Sequence, residues 1–319
     1  MYAALFPGQG SQHSGMGRFL FDEFKLVREL FEEASDSLSL DFKKLCFEAP
    51  ESELALTENT QSALLLVSTA TYRALGSLVD FKPQAASGHS VGEYAALVSA
   101  QALPFSQALR AVRARGQAMQ SAVPVGQGGM LAVMGLSQDQ VEQLCRWVEE
   151  KSQIRPLEPA NFNAPGQVVV SGQLKAIEWL QSHFTPEVLK PQPGRVKLIP
   201  LKVSAPFHCS MMKPAEEQMA PVLADMDFQR AQFPVVQNFV AEPVEEASAL
   251  RENLLLQICG PVRWIECVGS LKALGVQRCI ELGPGKVLSG LVKKIAGDDL
   301  ITSNIQSLED LKHLEKELK

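Results

Sequence analysis

No apolar run in the sequence approaches the eighteen or so residues needed to cross a bilayer, so a membrane-spanning helix is not expected. Cysteine is sparse and scattered. Cys46, Cys145, Cys209, Cys259, Cys267 and Cys279 make no C-x-x-C pair and no zinc spacing, so no metal centre is expected. A disulfide framework is equally unexpected in 319 residues, and a reducing cytoplasm is the simpler setting. Positive charge is not in excess: 30 Lys and Arg against 36 Asp and Glu leave a net charge of −6. That balance gives no general attraction to nucleic acid or to an anionic membrane, so a bound anion has to be met by a local cation. The opening residues Met1 to Phe6 have no basic stretch and break at Pro7, unlike a secretory signal. Repeats and low-complexity segments are also missing.

What is present reads as an α/β protein. Ala3–Phe6 is a short buried strand ended by Pro7-Gly8-Gln9-Gly10. Helical spacing covers 19–38, 60–78, 91–100 and 105–123, and Pro83–Ser87 is a strand of small residues. Beyond the glycine-rich stretch 124–129 the order becomes strand (130–136), helix (137–151), strand (157–161), strand (167–171), helix (174–184), strand (196–203). That β-α-β-β-α-β order is ferredoxin-like. It predicts a small inserted subdomain at 125–203 within a larger α/β unit made of 1–124 and 204–319. A strand at 276–282 turned by Gly283-Pro284-Gly285, and a charged helix at 308–318, complete the large unit.

Gly88-His89-Ser90-Val91-Gly92 fits G-x-S-x-G, the nucleophile elbow in which a serine sits on a sharp strand-to-helix turn. Alone it says little, because three fixed positions arise by chance in roughly one chain of this length in ten. Its chemistry needs a base, and five histidines are available. His13 lies in a polar loop, and His183 and His313 lie in helical, partly charged stretches. The side chain of His89 diverges from that of its neighbour Ser90 on a tight turn. His208 follows the strand 196–203, and catalytic groups of open α/β sheets collect beyond strand ends, so His208 is the expected base. No acidic residue after Ser90 stands out to orient it, and a carbonyl oxygen is the alternative acceptor. The Val91 N–H is one natural oxyanion donor, and the loop Pro7–Gly10 is suited to supply the other.

Arg115 is the most informative single residue. It shares an apolar helix face with Ala108, Ala111, Val112, Ala118 and Met119, whereas Arg113 points about 200° away. A guanidinium stays charged and is costly to bury without an anion. That anion is either a protein carboxylate or a carboxylate on a substrate.

Taken together, these residues resemble the malonyl-CoA:acyl carrier protein transacylase family. The blocks are FPGQGSQ (6–12), TQSALL (60–65), GHSVGEYAALV (88–98), RGQAM (115–119), NFNAPGQVVVSG (161–172), APFHCSMM (205–212), QICGPVRW (257–264) and ELGPGKVLSGL (281–291). The resemblance implies an α/β-hydrolase-like core with a ferredoxin-like insertion. It further implies Ser90 as nucleophile, His208 as base, and Gln257 orienting His208 through its backbone carbonyl. Gln9 and Val91 would form the oxyanion hole, and Arg115 would read the free carboxylate of malonate. Gln61, Asn161 and Phe207 would line the pocket, with Phe207 crowding an α-methyl branch. Malonyl-CoA and acyl carrier protein are the implied partners, with no cofactor, and the chain is expected to act as a monomer. Lys202, Lys213, Arg263 and Lys286 are candidate contacts for an acidic carrier. Gln101 departs from the glycine that the family often has after the nucleophile helix. The rival readings are a lipid-directed serine hydrolase, which offers a buried Arg115 no partner, and a carrier-binding subunit without catalysis.

Overall fold

The computed structural model describes residues 1–203 and 205–319. Ser204, which falls on the expected subdomain boundary, lies outside the described residues. Among the described residues there are ten strands: β1 (Tyr2–Phe6), β2 (Ala85–Gly88), β3 (Gly128–Met134), β4 (Leu157–Ala164), β5 (Gln167–Gln173), β6 (Lys197–Pro200), β7 (Val235–Val236), β8 (Pro243–Val244), β9 (Arg278–Glu281) and β10 (Ile301–Asn304).

They form two sheets. One has the order β10-β9-β1-β2-β7-β8 and is parallel except for β8. The other, β4-β5-β3-β6, is antiparallel throughout. Numbered within its own β-α-β-β-α-β segment, the second sheet has the order 2-3-1-4, as a ferredoxin-like unit requires. The protein is thus α/β, with a mostly parallel hydrolase-like sheet and a separate small antiparallel sheet.

Strand residues alternate between faces, and the core divides accordingly. Ala4, Phe6, Ala86 and Ile280 join one cluster with the long helix Thr57–Leu78 and the helix Phe105–Ser121. Ala3, Leu5, Ala85 and Cys279 join another with the helices Trp264–Ala273 and Val287–Ala296. Both faces of the parallel sheet are covered, which is why its central strands β1 and β2 are mostly apolar or small. In the small sheet Leu131, Val133, Val168 and Val170 face that unit's own helices, whereas Met130 and Val169 belong to the core of the large unit. A further tie crosses between the units: Phe162 N–H donates to Val262 O at 2.9 Å and Val262 N–H to Ala160 O at 2.8 Å. These contacts aim Met130 and Asn161 toward the end of the parallel sheet.

Several local expectations change. The helix expected over 19–38 is two helices, Arg18–Glu23 and Lys25–Leu38, because Phe24 takes an extended conformation. The strand expected over 196–203 is ordered only at Lys197–Pro200, and it belongs to the small antiparallel sheet. His208 therefore does not follow a strand of the open parallel sheet. It sits on a loop at φ 59°, just before the short helix Ser210–Met212. Gln101 is also left-handed, at φ 55°, a backbone setting that glycine adopts without cost. The Gly283–Gly285 turn is structural: Gln306 Nε2 donates to the carbonyls of both glycines, and Glu281 caps the following helix at Leu288 N and Ser289 N. Among the described residues no helix is long and apolar enough to cross a membrane, and no cluster of His, Cys, Asp or Glu could hold a metal ion.

Candidate active site

Ser90 sits between β2 and the helix Gly92–Ser99 with φ 52°, the left-handed region that a side chain rarely occupies. Its two glycine neighbours permit the turn. A Cβ on Gly88 would lie 2.0 Å from Gly92 C, and one on Gly92 would lie 2.1 Å from Phe6 O. The elbow helix thus packs directly on the end of β1, and the loop that follows β1 passes the serine. A Cβ on Gly8 would lie 2.5 Å from His89 O, so only a glycine lets that loop approach so closely.

Ser90 Oγ is 2.8 Å from His208 Nε2, and His208 Nδ1 is 2.8 Å from the carbonyl oxygen of Gln257. A carbonyl only accepts, so Nδ1 carries the proton and Nε2 accepts from the serine hydroxyl. Burial, reinforced by the nearby Arg115 charge, pulls His208 down to about 3, so the ring is neutral at physiological pH. No carboxylate takes part. The backbone N–H groups of Gln9 and Val91 donate to no protein acceptor among the described residues and so remain available to an oxyanion.

Arg115 is 1% exposed, on the inner face of its helix. The helix comes close to Thr57–Leu78 because Gly116 has no side chain; a Cβ there would meet Glu58 Cα at 2.5 Å. Nη1 donates to Gln61 Oε1 at 2.8 Å, and Nη2 donates to Gln257 Oε1 at 2.9 Å and to Ser90 Oγ at 3.2 Å. All three acceptors are neutral, and Nε has no partner. Among the described residues no carboxylate lies within ion-pair distance of Arg115, although Glu93 lies close enough to act on it through space. Arg113, on the other side of the helix, pairs with Glu58 at 2.9 Å. A buried guanidinium supplied only with amide and hydroxyl oxygens retains the capacity to pair with a carboxylate.

These groups line a cavity of about 120 Å³. Gln9, Gln61 and Asn161 add polar atoms to it, and Met119, Met130, Leu201, Val203 and Phe207 form its apolar wall. Every site residue expected from the sequence, apart from the more deeply placed Gln257 and Val91, reaches this one cavity. A larger groove of about 540 Å³, bounded by Phe21, Asp36 and Lys43, has no histidine to serve a nucleophile. Of the candidate carrier contacts, Lys213 and Arg263 are already paired with Glu216 and Glu266.

Three residues beneath the elbow were not expected. Asn238 Oδ1 accepts from Ser90 N at 2.7 Å, and Asn238 Nδ2 donates to Gly88 O at 2.7 Å. Glu93, fully buried, accepts from Asn238 N at 2.7 Å and from Gln237 Nε2 at 3.0 Å. Burial pushes the Glu93 carboxyl up to about 7, partly offset by those donors and by Arg115. A charged residue in the first turn of a mostly apolar helix is the signal that could have pointed to Glu93. Asn238 follows a strand of only two residues and has no such signal.

The acyl transferase domain family matches residues 4–300. A malonyl CoA-acyl carrier protein transacylase of Bacillus subtilis (strain 168) is 43% identical over 296 residues, covering 92% of this chain and 90% of that one. The chain belongs to the malonyl-CoA:acyl carrier protein transacylase family. It is an acyltransferase. The solved acyl-carrier-protein S-malonyltransferase of Burkholderia pseudomallei 1710b superposes with a TM-score of 0.91 at 42% identity, covering 99% of each chain. Another transacylase of known structure, a malonyl-transacylase in complex with its type II polyketide-synthase acyl carrier protein, superposes with a TM-score of 0.92 at 39% identity over 99% of each chain.

Proposed function

We propose that this chain transfers the malonyl group of malonyl-CoA to the pantetheine thiol of an acyl carrier protein, in fatty acid synthesis, through a malonyl-Ser90 intermediate. The observation that carries this reading is the buried Arg115, without a carboxylate partner, 3.2 Å from the serine oxygen that His208 also reaches. In the first half-reaction Ser90 gives its proton to His208 Nε2 while Oγ attacks the thioester carbonyl. The N–H groups of Gln9 and Val91 hold the oxyanion, each donor being worth about 2.7–4 kcal/mol. Collapse expels CoA, whose sulfur takes the proton from His208. In the second half-reaction the carrier thiol gives its proton to His208, its sulfur attacks the malonyl ester, and Ser90 recovers its proton as it leaves.

Arg115 holds the free carboxylate of the malonyl group throughout, assisted by Gln61, and Gln257 O fixes the imidazole. A neutral acetyl group leaves the arginine unsatisfied and is disfavoured. Phe207 narrows the space beside the α-carbon, which favours malonyl over methylmalonyl by the 1–3 kcal/mol or so that one methyl group is worth. The units 1–124 with 204–319, and 125–203, act as two walls of the acyl cleft, with Asn161 on the smaller. Six free cysteines suit a reducing cytoplasm, where the enzyme works as a monomer, since one chain supplies the whole site.

Intact-mass measurement after mixing with malonyl-CoA tests this directly. Wild type should gain one malonyl group, keep it in water, and lose it when carrier protein is added. No adduct on wild type, or an adduct surviving in Ser90→Ala, overturns the mechanism.

A further inference from the structure

Ser90 is held in its left-handed conformation at the end of β2, where the sheet has already stopped. β2 pairs in parallel with β7 through Ala86↔Val235 and Ser87↔Val236. Continued by two residues, that register sets His89 opposite Asn238. In a parallel ladder a residue donates to the carbonyl before its partner and accepts from the N–H after it. Asn238 does both, but with its side chain: Nδ2 donates to Gly88 O and Oδ1 accepts from Ser90 N, each at 2.7 Å. The backbone N–H of Asn238 is turned away and bound to Glu93 Oε2 at 2.7 Å. Glu93 is itself steadied by Gln237 Nε2, whose amide also donates to Leu250 O at 3.0 Å.

We propose that Asn238 is a positioning residue for the nucleophile, its side-chain amide standing in for the missing rung of the β2–β7 ladder, with Glu93 as the anchor that turns it into place. This deepens the acyl-serine reading and rests on Ser90 being the nucleophile. Two effects follow. The rung fixes the Oγ direction that places Ser90 between His208 and the cleft. It also occupies the Ser90 N–H, leaving Val91 and Gln9 as the free donors at the elbow. Only asparagine has a donor and an acceptor at this reach: aspartate would set an oxygen against Gly88 O, and alanine would abandon both groups.

The test uses the full chain with Asn238→Ala and Glu93→Gln. Two rates are followed by intact mass: Ser90 acylation by malonyl-CoA and Ser90 sulfonylation by phenylmethylsulfonyl fluoride. A misplacement of order 1 Å costs about 10²-fold in rate. Asn238→Ala is therefore expected to react about 10²-fold more slowly with both reagents, and Glu93→Gln about tenfold more slowly. The malonyl-CoA concentration that half-saturates the acylation rate should stay within about threefold of wild type, because Arg115 keeps its bonds to Gln61 and Gln257. A residue that only stabilises the fold would lower the fraction of molecules modified and leave the rate per modified molecule unchanged. That result overturns the proposal. If Asn238→Ala does not fold, Glu93→Gln decides on the same readouts. The sulfonyl fluoride separates the two ideas: a wild type that never takes up malonyl but reacts faster than the variants with the reagent defeats the malonyl reading and supports the positioning one.

Discussion

Arg115 Nη2 stands 3.2 Å from Ser90 Oγ, so the residue proposed to select the acyl group touches the atom proposed to attack it. In the free enzyme the serine oxygen is shared between the arginine and His208 Nε2 at 2.8 Å. On the proposed mechanism an incoming carboxylate would draw the guanidinium toward itself, which would make substrate choice and nucleophile release one event.

Replacing Arg115 by alanine should lower malonyl acylation roughly 10²- to 10⁴-fold, since removing one partner of a buried charge pair costs about 3–5 kcal/mol. Acetyl acylation should fall far less or rise. Arg115→Lys should not restore the rate, because an ammonium cannot span Gln61, Gln257 and the substrate together. Single-turnover CoA release with malonyl-CoA and acetyl-CoA measures both. Equal loss for the two substrates would show that Arg115 acts only on the fold.

The pH profile should lack the usual histidine limb. His208 is pulled well below 6.5 by burial and by Arg115, so kcat/KM for malonyl-CoA should stay level as pH falls through 6.5. Once the malonyl carboxylate neutralises Arg115, one of the depressing influences is gone and the base titrates at higher pH. The acid limb of kcat should therefore lie above that of kcat/KM. A limb at 6.5 in both profiles would contradict the burial and charge environment described for the ring.

Glu93 should leave a mark on stability. Its folded-state value of about 7 lies above the ordinary carboxyl range, so between those two values the folded chain holds a proton that the unfolded chain does not. The contribution of this group to stability is complete below the unfolded value and declines as pH rises toward 7. Glu93→Gln cannot ionise and should remove that decline. The Tm difference, variant minus wild type, should be more positive at pH 8 than at pH 5. An unchanged difference would mean that Glu93 stays charged throughout.

How far the sequence could be read depended on the range over which each signal acts. Ser90 and Arg115 are legible because an elbow and a helical phase are local patterns. His208 was found by elimination among five histidines, but the strand before it belongs to the small antiparallel sheet, and a left-handed loop, not a strand end, aims the ring. The break at Phe24 leaves no proline or glycine to mark it. Gln257 acts through a carbonyl, which every residue has, so only the family pattern singled it out. Asn238 was not legible at all: its role depends on the register of a two-residue strand some 148 positions away from Ser90.

The small unit is threaded into the chain between Arg115 and His208, and the carbonyl that orients His208 comes later still, at Gln257. During synthesis the proposed nucleophile is therefore made long before its proposed base. A chain halted between residues 116 and 256 has Ser90 and Arg115 but not the Gln257 carbonyl that meets the imidazole, and β9, a flanking strand of the central β1, has not yet been added. On the proposed mechanism, reactivity toward acyl thioesters would arrive only with the segment that brings Gln257 and β9.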